Sequence, residues 1–580
     1  MRRSVVLTFT SVAALAATTA VLPSVAGATA PASDSDLATS SSATGGTHDY
    51  IVLYTSTGQA AAARAAIRAA GGSLVSENDE VGYAVARSSA ADFAQAVATS
   101  SAVVGAARDR AIGFARPSAK AQANARDKNR ELERLDAVRS QRRISGQADA
   151  AAVPEAEPLA NRQWDMRQIG ATPNGSYRVQ PGLKGVRVGV IDTGIDGSHP
   201  DIAPNFDAEH SHNFVTDNPA IDGPCEVESC VDPVDVDDDG HGTHVASTIG
   251  APINGIGIAG VAPEVTLLNL RAGQDSGFFF LQPTLEAITY AADIGVDVIN
   301  MSFFTDPWLF NCVDNPADSP AEQTEQRIIR ETTQRALSYA RAHGVLPVAA
   351  LGNEATDLGH PVEDTISPDF PADAAKTREI DNSCITVPTE SRGVVGVSSI
   401  GPSTRLAYYS NYGTEQTDVS APGGDAFDSP DETLDPRALI LAAYPEHVAR
   451  ANEDIDEKGE PTNDFVVRDC DDGTCAYYQY LQGTSMASPH AVGVAALIVS
   501  EYGTRDRVHG GLTLDPRTTE RILARTAVDH ACPQPREFVW TRIRPDGEVV
   551  TSSATCEGPT RDNGFYGEGV VNAYAAVTGR

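Results

Sequence analysis

Apolar runs of strand length recur in the chain beyond residue 163, at 186–191, 266–270, 296–301, 346–350 and 394–397. Longer stretches with helical spacing lie between them, notably 284–294 and 327–343. Strands alternating with helices predict an α/β domain with a mainly parallel central sheet, here over residues 159–580. A smaller pattern precedes it. Residues 48–54 read as a strand, 59–70 as a helix stopped by Gly71-Gly72, 73–76 and 82–86 as strands, and 90–99 as a second helix. A last strand falls near 103–105 or 111–114, giving the β-α-β-β-α-β order of a small ferredoxin-like α+β unit over 48–114. No internal repeat is visible.

The segments flanking these patterns differ in kind. Residues 115–158 are rich in Lys, Arg, Ala, Asn and Gln, then in Ala, Pro and Glu, as expected of an exposed linker open to proteolysis. Residues 29–47 are rich in Ser, Thr, Ala and Gly and read as a disordered leader. Ahead of them, Arg2-Arg3, an apolar run from Val5 to Leu22 and the small-x-small site Ala26-Gly27-Ala28 make residues 1–28 a secretory signal peptide. The chain is therefore expected outside the cell, with no membrane partner and, lacking an interface signature, as a monomer.

Charge sharpens the division. Residues 1–150 hold 16 Lys/Arg against 13 Asp/Glu, and the remainder 28 against 65, so the net −34 belongs wholly to the larger domain. Such a surface repels nucleic acid and anionic lipid. Extracellular solubility is the plainer reading of it, with cation binding or a preference for basic substrates as the competing one. Eight cysteines in an exported chain read as disulfides. Cys225/Cys230 and Cys470/Cys475 are close pairs, Cys532/Cys556 brackets a hairpin turning at Arg544-Pro545-Asp546-Gly547, and Cys312 is left with Cys384. Spacing alone leaves other connectivities open. Neither close pair has the second half of a zinc site.

Three stretches carry chemistry. The strand Val188-Gly189-Val190-Ile191 ends in Asp192-Thr193-Gly194, placing a carboxylate at the carboxyl end of a buried strand, where α/β folds bind ligands. Asp239-Gly240-His241-Gly242-Thr243-His244 is a Gly-rich turn opening a helix. Gly483-Thr484-Ser485-Met486-Ala487-Ser488-Pro489 sets Ser485 at a helix N-terminus, whose N–H groups favour developing negative charge. Singly, each has a structural reading: a helix cap, a turn carboxylate, half of a metal site. Together, in the order Asp, His, Ser, they resemble the signature motifs of the subtilisin-like serine peptidases, the subtilase family. The resemblance runs from about Gln163 to Ala576, and residues 48–114 resemble that family's inhibitory propeptide.

The resemblance implies a secreted, self-maturing endopeptidase in which Ser485 is nucleophile, His241 general base and Asp192 its orienting carboxylate. It also matches Val348-Ala349-Ala350-Leu351-Gly352-Asn353 to the strand bearing the oxyanion donor, Asn353. His244 and His199 are expected to pack rather than catalyse. Ser302, Phe303 and Phe304 on one wall, Ala350, Leu351 and Gly352 on the other, and Gly277 on a further strand are the implied substrate contacts. Here the chain departs from the family: after Asn300-Met301-Ser302 the usual glycines are replaced by Phe304-Thr305, and Leu351 stands where a smaller residue is common. The Phe278-Phe279-Phe280 run fits either a substrate wall or a core strand. No cofactor is needed for the chemistry; a structural calcium ion is expected near Asp235, Asp237 and Asp239, with a solvated acidic loop as the competing reading. Protein or peptide substrates and the chain's own propeptide are the implied partners. Insertions at 306–326, 355–384 and 425–480 would border the cleft.

Alternatives from other classes fit less well. Ser485 is not in a G-x-S-x-G elbow, and the residue order is wrong for an α/β-hydrolase. The chain has no H-E-x-x-H. A non-catalytic binding scaffold would explain Phe304-Thr305 but not four intact catalytic motifs, and a leader-cleaving maturation protease is the rival within the class. For residues 48–114, a free-standing interaction domain is the alternative to a propeptide.

Overall fold

The computed structural model describes residues 46–109, 132–135, 157–371 and 374–579. The expected signal peptide at 1–28, most of the expected leader, much of the expected linker and the candidate strand at 111–114 lie outside them.

The N-terminal unit has the element order read from its pattern: β1 (His48–Tyr54), α1 (Ala60–Ala69), β2 (Gly72–Asn78), β3 (Tyr83–Ser88), α2 (Phe93–Val97) and β4 (Val103–Arg108). The strands pair antiparallel in the order β2-β3-β1-β4. Alternation sorts their side chains. Tyr50, Val52 and Tyr54 of β1 pack under the unit's own helices, with Ala63, Ile67 and Phe93. Ile51 and Leu53 point the other way, into a cluster shared with the large domain.

In the large domain, β5 (Arg187–Ile191), β6 (His212–Asn213), α3 (His241–Gly250), β7 (Thr266–Arg271), α4 (Leu281–Asp293), β8 (Val298–Met301), α5 (Pro320–Ala342), β9 (Leu346–Ala350), β10 (Val395–Ile400) and β11 (Val419–Pro422) follow in sequence. The seven strands form one sheet in the order β11-β10-β9-β8-β5-β7-β6, every pairing parallel. A three-stranded antiparallel sheet of β12 (Ile440–Ala443), β13 (Val466–Asp471) and β14 (Thr474–Leu481) leads into the central helix α6 (Thr484–Tyr502). One face of the parallel sheet buries Val188, Val190 and Val348 against Val245 of α3 and Ala491–Val499 of α6. The opposite face buries Leu268, Ile299 and Met301 against Leu285 and Ile288 of α4 and Leu337 of α5. It is on this second side that the N-terminal unit sits: Gly105 approaches Ile328 so closely that a side chain there would press on it. Arg335 donates to the Tyr54 carbonyl at 2.8 Å.

Helix α5 begins seven residues before the apolar periodicity suggests. Ser319 and Glu322 form a reciprocal capping box around Pro320 at the first position, and this start signal lies within the stretch read as an insertion. All four cysteine pairings are disulfides as read: Cys225–Cys230, Cys312–Cys384, Cys470–Cys475 and Cys532–Cys556. The hairpin turning at 544–547 is also present, with Ile543 opposite Val549. No helix among the described residues is long and apolar enough to cross a membrane.

Candidate active site

Because all seven strands are parallel, their carboxyl ends share one edge, and four successive loops converge there. Asp192 follows β5, Gly273–Phe279 follow β7, Ser302–Asp306 follow β8 and Leu351–Asn353 follow β9. The amino termini of α3 and α6 close the edge from one side, bringing His241 and Ser485 as the first and second residues of their helices. Gly242 allows this approach, since a Cβ there would strike the Gly194 carbonyl beside Asp192.

Asp192 is fully buried and its Oδ1 accepts from His241 Nδ1 at 2.7 Å. The same oxygen accepts from the Thr193 amide at 2.8 Å, fixing the carboxylate plane. Nε2 of His241 is thereby left facing the cleft. Burial alone would lower the pKa of His241, but the carboxylates of Asp192 and Glu133 outweigh it and raise it to about 9. Ser485 is buried, and its first helical turn is anchored by Ser302, whose hydroxyl donates to the Ser485 carbonyl at 3.0 Å and meets Ser488 Oγ at 2.8 Å. Asn353 is oriented by Thr484: its Oδ1 accepts from the Thr484 amide and hydroxyl, both at 2.9 Å. The amide nitrogen is therefore the group turned into the cleft. Glu354, which also lines the cleft, accepts from Asn411 Nδ2 at 2.6 Å.

A cavity of about 160 Å³ opens from these groups. Ser302, Phe303, Phe304, Ala350, Leu351, Gly352 and Gly277 all line it, so the seven expected substrate contacts are brought together. The two phenylalanines do different things. Phe303 stacks on Phe279, ring centroids 4.1 Å apart, whereas Phe304 packs with Leu309 and Leu351. Phe278–Phe280 are not a strand: Phe278 and Phe279 line the cavity from an irregular segment, and Phe280 is buried. Asp306, Leu309 and Asp369 from two of the predicted insertions, and Tyr444 from the third, also line it.

The structure separates the remaining acidic and histidine candidates. Asp237 accepts from Thr193, Gly240 and both donors of Thr243, so it braces the loop that carries His241. Asp239 caps the His241 amide at 3.1 Å, and Asp235 is exposed. A different set, Asp217, Glu226, Asp232 and Asp275, gathers its oxygens within 4.8 Å. There Arg271 already supplies countercharge to Asp217, Asp232 and Asp275. His244 is buried with Nε2 3.1 Å from the Ile440 and Gln479 carbonyls; burial first, then His241, depresses its pKa to about 3. His199 bonds the Tyr477 carbonyl. Both pack, as expected.

Residues 183–569 match the Subtilase family, Peptidase_S8, two-thirds of the chain. The chain belongs to the subtilase family. This subtilase is 29% identical over 327 residues to a thermophilic serine proteinase of Bacillus sp. (strain AK1), covering 56% of this chain and 55% of the relative. It is 28% identical over 329 residues to subtilisin DY of Bacillus licheniformis, covering 56% of this chain and 80% of that one. Among solved structures, the epidermin leader peptide-processing serine protease EpiP of Staphylococcus aureus superposes with a TM-score of 0.58 at 21% identity, over 92% of this chain and 98% of the other.

One active-site residue escaped the sequence reading altogether. Leu132–Arg134 form a helical turn inside the cleft, with the Glu133 carboxylate against Ser485 and Asn353. Its surrounding sequence reads as solvated linker, and only the length of linker available to reach the cleft could have hinted at it.

Proposed function

We propose that this subtilase is a secreted serine endopeptidase that hydrolyses peptide bonds through an acyl-enzyme on Ser485 and matures by removing its own N-terminal unit. The observation that carries the reading is convergence: Asp192-bound His241, Ser485 at the start of α6 and the Asn353 amide all face one cavity. Ser485 Oγ attacks the scissile carbonyl carbon while its proton passes to His241 Nε2. The oxyanion collects on the Asn353 amide and the Ser485 N–H, in a site largely shielded from water. The imidazolium, held by Asp192, then protonates the leaving amine as the C–N bond breaks, and water repeats the sequence on the ester.

Residues 48–114 serve as the inhibitory propeptide, residues 1–28 as signal peptide and 115–158 as the region of maturation cleavage. Docking of β1 and β4 on α5 through a shared apolar cluster supports a folding partner over a free-standing module. Insertion residues at the cleft favour extended or unfolded substrates, and Phe304 with Leu351 narrows the pocket beside Ser485. The relatives include an epidermin leader peptide-processing protease, 26% identical over 360 residues, so a leader-cleaving maturation role is the second reading.

The test is secretion of wild type and Ser485→Ala, with gel analysis and N-terminal sequencing. Loss of everything before about residue 160 in wild type alone establishes self-processing. Identical products from both would remove it.

A further inference from the structure

The occupant of the cleft is a side chain, not a substrate-like backbone. Glu133 Oε1 accepts from Ser485 Oγ at 2.8 Å and from Asn353 Nδ2 at 3.2 Å. Its Oε2 lies 3.6 Å from His241 Nε2. One carboxylate thus engages the nucleophile, the oxyanion donor and the general base together. Among the described residues Ser485 Oγ makes no hydrogen bond to His241; its acceptors are Glu133 Oε1 at 2.8 Å and, more distantly, the Ser302 carbonyl at 3.4 Å. The backbone around Glu133 is turned away from attack. The Leu132 and Glu133 carbonyls accept from Gln482 Nε2 at 2.9 Å and Gln482 N at 3.2 Å, and Arg134 donates to the Tyr444 hydroxyl. What Ser485 faces is a carboxylate carbon, which resonance makes a poor electrophile, so the segment can fill the cleft without being cut there.

We propose that Glu133 is an autoinhibitory latch that silences the catalytic triad of the unprocessed subtilase through its side-chain carboxylate. This rests on the reading of Ser485 as a peptidase nucleophile. The latch acts in three ways. It withdraws the Ser485 proton from its base. It fills the oxyanion position with a charge-assisted acceptor of the kind those donors bind best. It also stabilises the imidazolium form of His241, which cannot take a proton. Raised His241 basicity, to which Glu133 contributes after Asp192, agrees with the last of these. Gly483 permits the fit: a Cβ there would meet Glu133 Oε1 at 3.0 Å. Maturation then requires the 132–135 turn to leave the cleft before any peptide bond can enter it.

Two measurements on the full chain decide the matter. The first is the rate at which a fluorophosphonate labels Ser485 in freshly secreted, still unprocessed wild type, Glu133→Gln and Glu133→Ala, with Ser485→Ala as blank. Labelling is expected to rise by about tenfold or more in Glu133→Ala, the weight of one hydrogen bond to a charged group, and by less in the isosteric Gln variant. Equal rates in all three would overturn the latch. Absence of labelling in every form, processed chain included, would instead overturn the peptidase reading. The second uses Ser485→Ala, which cannot self-process, with ¹³C-labelled histidine. The His241 titration should move to lower pH when Glu133→Gln is added. An unmoved titration would show that Glu133 does not act on the base.

Discussion

His241 Nδ1 lies 2.7 Å from Asp192 Oδ1, a bond that joins the first residue of α3 to the residue just past β5. It sets the ring so that only Nε2 faces the cleft, and it places a buried negative charge against the imidazole. Asp192→Asn keeps the shape but offers an N–H or a neutral oxygen where a carboxylate stood. We expect kcat of the mature enzyme on a peptide substrate to fall about 10⁴-fold with little change in KM or in melting temperature. A loss below tenfold would mean that Asp192 is not the orienting carboxylate.

Asn353 depends on Thr484, which accounts for both hydrogen bonds to its Oδ1. Asn353→Ala removes the oxyanion donor and should cost about 10²–10³ in kcat at nearly constant KM. Thr484→Val leaves the backbone bond and removes the hydroxyl, so a smaller loss of about tenfold is expected, again in kcat. If Thr484→Val instead changed KM alone, its role would lie in substrate contact and not in holding the amide.

Phe304 lines the cavity and packs against the cluster that holds Leu309 and Leu351. Phe304→Gly should raise kcat/KM for substrates with a large apolar residue before the scissile bond relative to those with a small one. A series of peptides differing only at that residue measures it, and an unchanged ranking would place Phe304 outside the specificity pocket.

Stability of the unprocessed chain should decline at alkaline pH. The pKa of His241 stands at about 9 against an ordinary 6.5, so its stabilisation is complete below pH 6.5 and lost as pH rises through 9. Buried carboxylates act in the same direction. Burial raises Asp201 and Asp418 to about 7 and Asp297 to about 8, so what they contribute is present below their ordinary 3.8 and lost as pH climbs through those values. Melting of Ser485→Ala between pH 6 and 9.5, by calorimetry, should show a steady fall. A flat profile would contradict this assignment of buried charge.

Much of this architecture is legible before folding, because the signals are local. The apolar run ending in Asp192 is a buried strand wherever it stands, and Gly-rich turns before His241 and Ser485 announce helix starts from their neighbours alone. The close cysteine pairs and the Arg544-Pro545-Asp546-Gly547 turn are equally short-range. Even the helix start at Pro320, assigned too late from periodicity, is written in Ser319 and Glu322.

Contacts between distant segments are another matter. Asp237 reads as one of several carboxylates suited to calcium; only packing against Thr193 and Thr243 makes it a brace for the catalytic loop. Phe303 and Phe304 are neighbours of one type, yet one stacks on Phe279 and the other packs against the cluster of Leu309 and Leu351. Glu133 reaches Ser485 across 352 positions, from a stretch whose composition says solvent. Propensity and periodicity act over a few residues, whereas a buried hydrogen bond depends on distances that arise once the core has closed. The chain's motifs therefore specify which groups can do chemistry, and the folded cleft decides that one of its own carboxylates meets them first.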